Sequence, residues 1–124
     1  EYLRSLKPEP SPQLINGKLS PAALRGEKLF KSARCASCHS GEILTDQKKH
    51  DVGTATGDNT TRKKAFDTPT LVEVWRTAPY LYKGQALTIL DVLSKKHNPK
   101  DQHGKTSKLT KKELTDLAEY VMSL

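Results

Sequence analysis

The chain has 124 residues, of which 35% are apolar and 28% charged, with a net charge of +7 at pH 7. That length fits one domain with a thin apolar core, and no run approaches the roughly 18 apolar residues of a membrane span or reads as a signal peptide. The basic runs Lys48-Lys49, Arg62-Lys63-Lys64, Lys95-Lys96 and Lys111-Lys112 lack interleaved aromatics, which argues against nucleic acid, and no hydrolase triad, P-loop or paired-carboxylate site is present.

In chain order, Glu1-Tyr2-Leu3-Arg4-Ser5-Leu6 nearly repeats Glu119-Tyr120-Val121-Met122-Ser123-Leu124. A stiff run, Pro8-Glu9-Pro10-Ser11-Pro12, follows the first copy. Residues 1–19 therefore read as the end of a preceding domain's helix plus a linker, and residues 20–124 as the domain itself. A first helix is expected from Ser20-Pro21, serine capping and proline in the first turn, to about Ser32. It carries Leu24, Gly26, Leu29 and Phe30. Gly26 is where a partner helix can approach.

Next comes Cys35-Ala36-Ser37-Cys38-His39, the string by which a chain is joined to haem: two thiols add across the porphyrin vinyls, and the histidine becomes the proximal iron ligand. Cys35 and Cys38 are the only cysteines, which excludes an all-cysteine zinc site. His97 and His103 lie too far downstream for a zinc finger, whose two halves are about a dozen residues apart. No βαβ pattern supports a thioredoxin-like motif. One covalent haem c is expected, acting as the largest apolar body in the fold, so the haem-free chain should be poorly folded.

Residues 41–68 are polar and without period, and are expected to form a long loop. A short helix should carry the haem motif and another should run from Leu87 to His97. The closing helix opens on the capping box Thr110-Lys111-Lys112-Glu113 and buries Leu114, Leu117, Ala118 and Val121. No strand signal is convincing. The expected class is all-α, with about four helices around one haem.

Residues 26–124 resemble the haem domains of the bacterial di-haem cytochrome c peroxidase and MauG-like family. The shared segments are Gly26-Glu27-Lys28-Leu29-Phe30, the motif at 35–39, Gly41 with Leu44-Thr45-Asp46, and His50-Asp51-Val52-Gly53. More specific are Asp67-Thr68-Pro69-Thr70-Leu71, Thr77-Ala78-Pro79-Tyr80-Leu81 and Gly84. The resemblance implies a cytochrome c fold, a bacterial periplasmic or cell-surface setting, and redox work. The chain departs at Val72, where the family often has an arginine that would hold a haem propionate; Arg76 is the candidate for that role here. It departs again at Tyr82-Lys83-Gly84, where a histidine often stands. The family's enzymes also use two haems, and this chain has one motif.

The sixth iron position separates the functions: a protein ligand there suits electron transfer, and an open face suits peroxide or oxygen. In the resembled relay domains a methionine stands near the position of Lys96 or His97. His97 also continues the Leu90, Leu93 face at helical spacing, so it ranks first, His103 second, then an open site or His50, with Met122 last as a packing residue. Lys96 would need deprotonation. Trp75, Tyr80 and Tyr82 are candidates to line the haem, and Trp75, Tyr80 and Arg76 to bind it. The leading expectation is an electron-transfer module of a larger redox protein, whose basic surface steers it toward an acidic face on a partner or neighbouring domain. The alternatives are a peroxidase-like enzyme domain with an open or switchable site, and a structural or sensory haem domain.

Overall fold

The computed structural model describes residues 2–55 and 65–124. Within them the α-helices are α1 (Tyr2–Ser5), α2 (Pro21–Ser32), α3 (Ile89–Leu93) and α4 (Lys111–Met122). The core lies where α2, α3 and α4 meet, built from Phe30, Leu71, Val74, Ile89, Leu93, Leu117, Ala118 and Val121.

Helix α2 begins as its sequence dictates. Ser20 Oγ accepts from Ala23 N at 3.1 Å, satisfying one of the first-turn donors, and Pro21 stands at the first helical position. Helix α4 opens on the capping box: Thr110 Oγ1 accepts from Glu113 N, and Glu113 Oε2 accepts from Thr110 N at 2.8 Å. Gly26 is the point at which the two helices cross, because a Cβ there would overlap the Asp116 carbonyl and stand 2.8 Å from Tyr120 Cβ. One turn on, Phe30 meets Tyr120 edge to face, with ring centres 5.3 Å apart. Leu24 is exposed on the opposite side of α2.

Asp116, nearly buried, fixes the crossing electrostatically. Arg25 grips it with two parallel bonds, Nε to Oδ2 at 2.7 Å and Nη2 to Oδ1 at 2.9 Å, and Lys112 adds a third at 3.0 Å. The Arg25 hydrogen bonds, helped by Lys112, hold the Asp116 carboxyl down to about 2.

The short helix expected at the haem motif is a single 3-10 turn, Cys35–Ser37, entered through Arg34 in the left-handed region. Three expectations need correction. The helix expected over 87–97 is five residues long. It opens on a Thr88–Asp91 capping box and stops when Ser94 turns extended, with ψ 158°. The count of about four helices over residues 20–124 becomes three among the described residues, and α1 contributes nothing to the core, with Leu3 exposed. Finally, the 41–68 region is not entirely loop. Lys49–His50 (β1) pairs antiparallel with Phe66–Asp67 (β2), an element of two residues per strand that leaves no alternation to read in a sequence. The basic run Arg62-Lys63-Lys64 lies outside the described residues.

The Pro-rich stretch, expected as a linker, touches the domain at two points. Ser11 is buried and its Oγ donates to Met122 O at 2.6 Å, while Glu9 N donates to Glu73 Oε1 at 2.6 Å. Among the described residues, no helix is long and apolar enough to cross a membrane.

Two outcomes follow. Gly26→Ala should force α2 and α4 apart and cost about 2–3 kcal/mol, lowering Tm by roughly 10 °C, as read by thermal melting. Asp116 has a folded-state pKa below its ordinary 3.8, so its ion pairs stabilise the fold fully above that value and lose their effect as pH falls toward about 2. Asp116→Asn should therefore be less stable at neutral pH and should flatten the acid limb of the stability curve; an unchanged acid limb would exclude this pairing as its source.

Candidate haem site

The turn Cys35–Ser37 starts at the end of α2, and His39 N donates to Cys35 O at 3.0 Å, so Cys35, Cys38 and His39 sit on one tightly wound stretch of backbone. Cys35 is half-buried, and burial pushes its thiol up to about 11. His39 Nδ1 lies 3.3 Å from Leu44 O. A carbonyl only accepts, so Nδ1 carries the proton and the free lone pair sits on Nε2. Burial lowers the His39 pKa, opposed by the Leu44 and Pro69 carbonyls. Such a carbonyl on the far nitrogen fixes a ligand histidine's tautomer and ring orientation.

The Leu44 and Pro69 carbonyls owe their positions to a small hydrogen-bonded frame. Thr45 Oγ1 donates to Thr68 O at 2.6 Å, Thr68 N donates to Lys48 O at 2.9 Å, and Thr70 Oγ1 donates to Ile43 O. The segment 67–71 is thereby tied to the residues that follow the haem motif.

The ring opposite His39 is that of His103. Their centres are 6.3 Å apart and their planes are inclined at 45°. Two metal–imidazole bonds of about 2 Å each leave roughly 1 Å on either side, the distance from a ring nitrogen to the ring centre. Burial, with His39 alongside, pushes the His103 imidazole down to about 4, so it stands neutral, the form that binds metals. Among the described residues, His103 Nδ1, His97 Nε2 and Trp75 Nε1 are buried nitrogens without a hydrogen-bond partner, each a position that a bound group can satisfy. Two thiols, two facing neutral imidazoles and orphaned buried donors fit a haem.

His97, ranked first from helical spacing, is not the facing ring. That spacing argument needed a helix through residue 97, and α3 ends at Leu93. The loop that follows carries His103 instead. Its organiser is Asn98, 2% exposed, a residue that the sequence reading did not single out. Lys105 N donates to Ala33 O at 2.8 Å, tying the loop to the end of α2 just before Cys35. Gly104 has φ +81°, a left-handed backbone that favours glycine, and a Cβ there would also stand a tight 3.3 Å from Ala33 O.

The remaining candidates make the following contacts. Arg76 donates to Glu73 Oε1 at 2.6 Å and lies over the Trp75 ring. Tyr80 Oη donates to Val74 O at 2.9 Å and stands 3.8 Å from Met122 Sδ. Tyr82 stacks on Phe66 at 4.6 Å. His50 Nε2 is 2.7 Å from Asp46 Oδ2. With Cys38 these two form a group whose ligand atoms lie within 4.8 Å of one another. A cleft of about 360 Å³ lies between Trp75, Tyr80, Leu87, Ile89 and Met122, but none of Cys35, Cys38, His39 or His103 lines it.

The chain is 44% identical over 61 residues to hydrazine synthase subunit gamma of Kuenenia stuttgartiensis, covering 49% of this chain and 17% of that protein. It is 36% identical over 83 residues to the methylamine utilization protein MauG of Methylorubrum extorquens, covering 57% of this chain and 24% of that protein. A solved structure of Kuenenia stuttgartiensis hydrazine synthase superposes with a TM-score of 0.83 at 30% identity, over 99% of this chain and 52% of that one. A MauG-like protein associated with microbial copper homeostasis shares the fold, with a TM-score of 0.65 at 22% identity, over 88% of this chain and 48% of that one. The chain thus spans well under half the length of the curated relatives it matches. The cytochrome c family model matches residues 23–124, and the chain belongs to the cytochrome c family, among relatives of the MauG-like di-haem kind.

Proposed function

We propose that the chain is an electron-transfer domain of a larger redox protein, holding one haem c through thioethers at Cys35 and Cys38, with His39 as proximal and His103 as distal iron ligand. The observation that carries this reading is the pair of facing imidazoles, His39 and His103, 6.3 Å apart and both held neutral by burial. The haem supplies the one-electron couple. The chain's own residues orient the proximal ring through Leu44 O, close the far face with His103, and exclude water from both imidazoles.

A closed far face argues against the peroxidase-like reading, which requires an open or easily opened position. His50, ranked from the sequence alongside an open site, is engaged by Asp46. Alkylation of Cys38 would also remove the thiolate from the Cys38–Asp46–His50 group, leaving a neutral thioether with little hold on a divalent cation. Haem attachment of this kind supports an exported, bacterial periplasmic or surface location. The net charge of +7 supports an electron partner with an acidic face.

Low-temperature EPR of the oxidised, haem-loaded protein tests the ligand set. The native chain should be low-spin, His103→Ala should turn high-spin, and His97→Ala should stay low-spin. A high-spin native protein would return the peroxidase reading to the front. Electron exchange with an acidic partner protein should slow by at least about tenfold as salt is raised from low to physiological levels; a salt-independent rate would remove the steering role of the basic surface.

A further inference from the structure

Asn98 is among the most deeply buried side chains of the fold, at 2% exposure, and all its side-chain hydrogen bonds go to one short stretch of backbone and its flank. Its Oδ1 accepts from His103 N at 2.9 Å. Its Nδ2 donates to His103 O at 3.1 Å, to Gly104 O at 2.9 Å and to Thr106 Oγ1 at 2.9 Å. One amide group thus takes both backbone polar groups of residue 103, as a neighbouring strand would. The base of the loop is pinned separately, by Thr106 Oγ1 donating to Leu93 O at 3.2 Å, by Lys105 N on Ala33 O, and by Asp101, whose carboxylate accepts from Thr106 N and Ser107 N.

A buried asparagine that takes both backbone polar groups of a single histidine is more than the loop's closure requires, since four other bonds already close it. We propose that Asn98 is a positioning residue that clamps His103 in its ligating pose. The inference rests on the reading of His103 as the distal ligand. The clamp fixes the backbone of residue 103 before any metal arrives, so the ring loses little freedom on binding. It also holds the ring close to the iron whenever their bond breaks, which keeps added ligands out. Loss of the clamp shifts the balance from the closed to the open iron without moving the haem attachment at Cys35 and Cys38.

The test uses the oxidised, haem-loaded chain carrying Asn98→Ala, Thr106→Val or His103→Ala, with the high-spin fraction read by EPR and cyanide affinity by optical titration at fixed pH. Thr106→Val weakens the base of the loop but leaves both bonds to residue 103. Asn98→Ala should raise cyanide affinity about tenfold, the scale expected for losing two buried hydrogen bonds, and should show a high-spin fraction; Thr106→Val should match the native protein in both. Should Asn98→Ala fail to take up haem, Asn98→Asp serves in its place. It is isosteric and keeps the acceptor for His103 N, but it turns a carboxylate oxygen on the His103 and Gly104 carbonyls, so the same shift is expected. Equal shifts in the Asn98 and Thr106 variants would assign the effect to general loosening and overturn the clamp. A His103→Ala protein that turns high-spin beside an unaltered Asn98 variant would overturn the clamp alone. A His103→Ala protein that stays low-spin, with native cyanide affinity, would overturn the ligand reading and the clamp with it.

Discussion

The hydrogen bond from Lys105 N to the carbonyl of Ala33, 2.8 Å long, is where the two halves of the site are joined. On one side, α2 ends at Ser32 and its last carbonyls lead into the turn that carries Cys35, Cys38 and His39. On the other, the loop after α3 carries His103. Helix C-termini leave backbone carbonyls without partners inside the helix, and here one of them is used to hold a second segment in register with the first. Gly104 lets the two backbones come this close. The facing of the two imidazoles is thus a consequence of main-chain bonding, set by α2 and α3 and ultimately by the crossing of α2 and α4 at Gly26.

Burial then gives these rings their chemistry. A neutral imidazole in a dry environment resists protonation, and both His39 and His103 are shifted down chiefly for that reason. Leu44 O acts against the shift on His39, keeping Nδ1–H as donor and Nε2 as the free nitrogen. Among the described residues, His103 has no such partner on Nδ1. The two rings are therefore unequal, one braced through its side chain and the other through its backbone.

Much of this was legible in the sequence. The haem motif, the Ser20 cap, the Thr110–Glu113 box and the close approach at Gly26 are each set by a few adjacent residues whose chemistry allows little else. The buried stripe of α4 could be read for the same reason, as helical spacing is regular. His97 shows where such reading stops. Leu90 and Leu93 point to it only if the helix continues, and that depends on Ser94 turning extended, which no local preference dictates. Leu90 itself proves partly exposed. The β1–β2 pair is too short to carry a pattern, and Asn98 acts through bonds to backbone five and six residues away and to a side chain eight away, which leave no local signature.

The most direct test of the account is a crystal structure of the oxidised protein with haem attached. The account predicts iron bound between Nε2 of His39 and a ring nitrogen of His103, with Asn98 still holding the backbone of residue 103. Iron facing His97, Lys96 or solvent opposite His39 would contradict it.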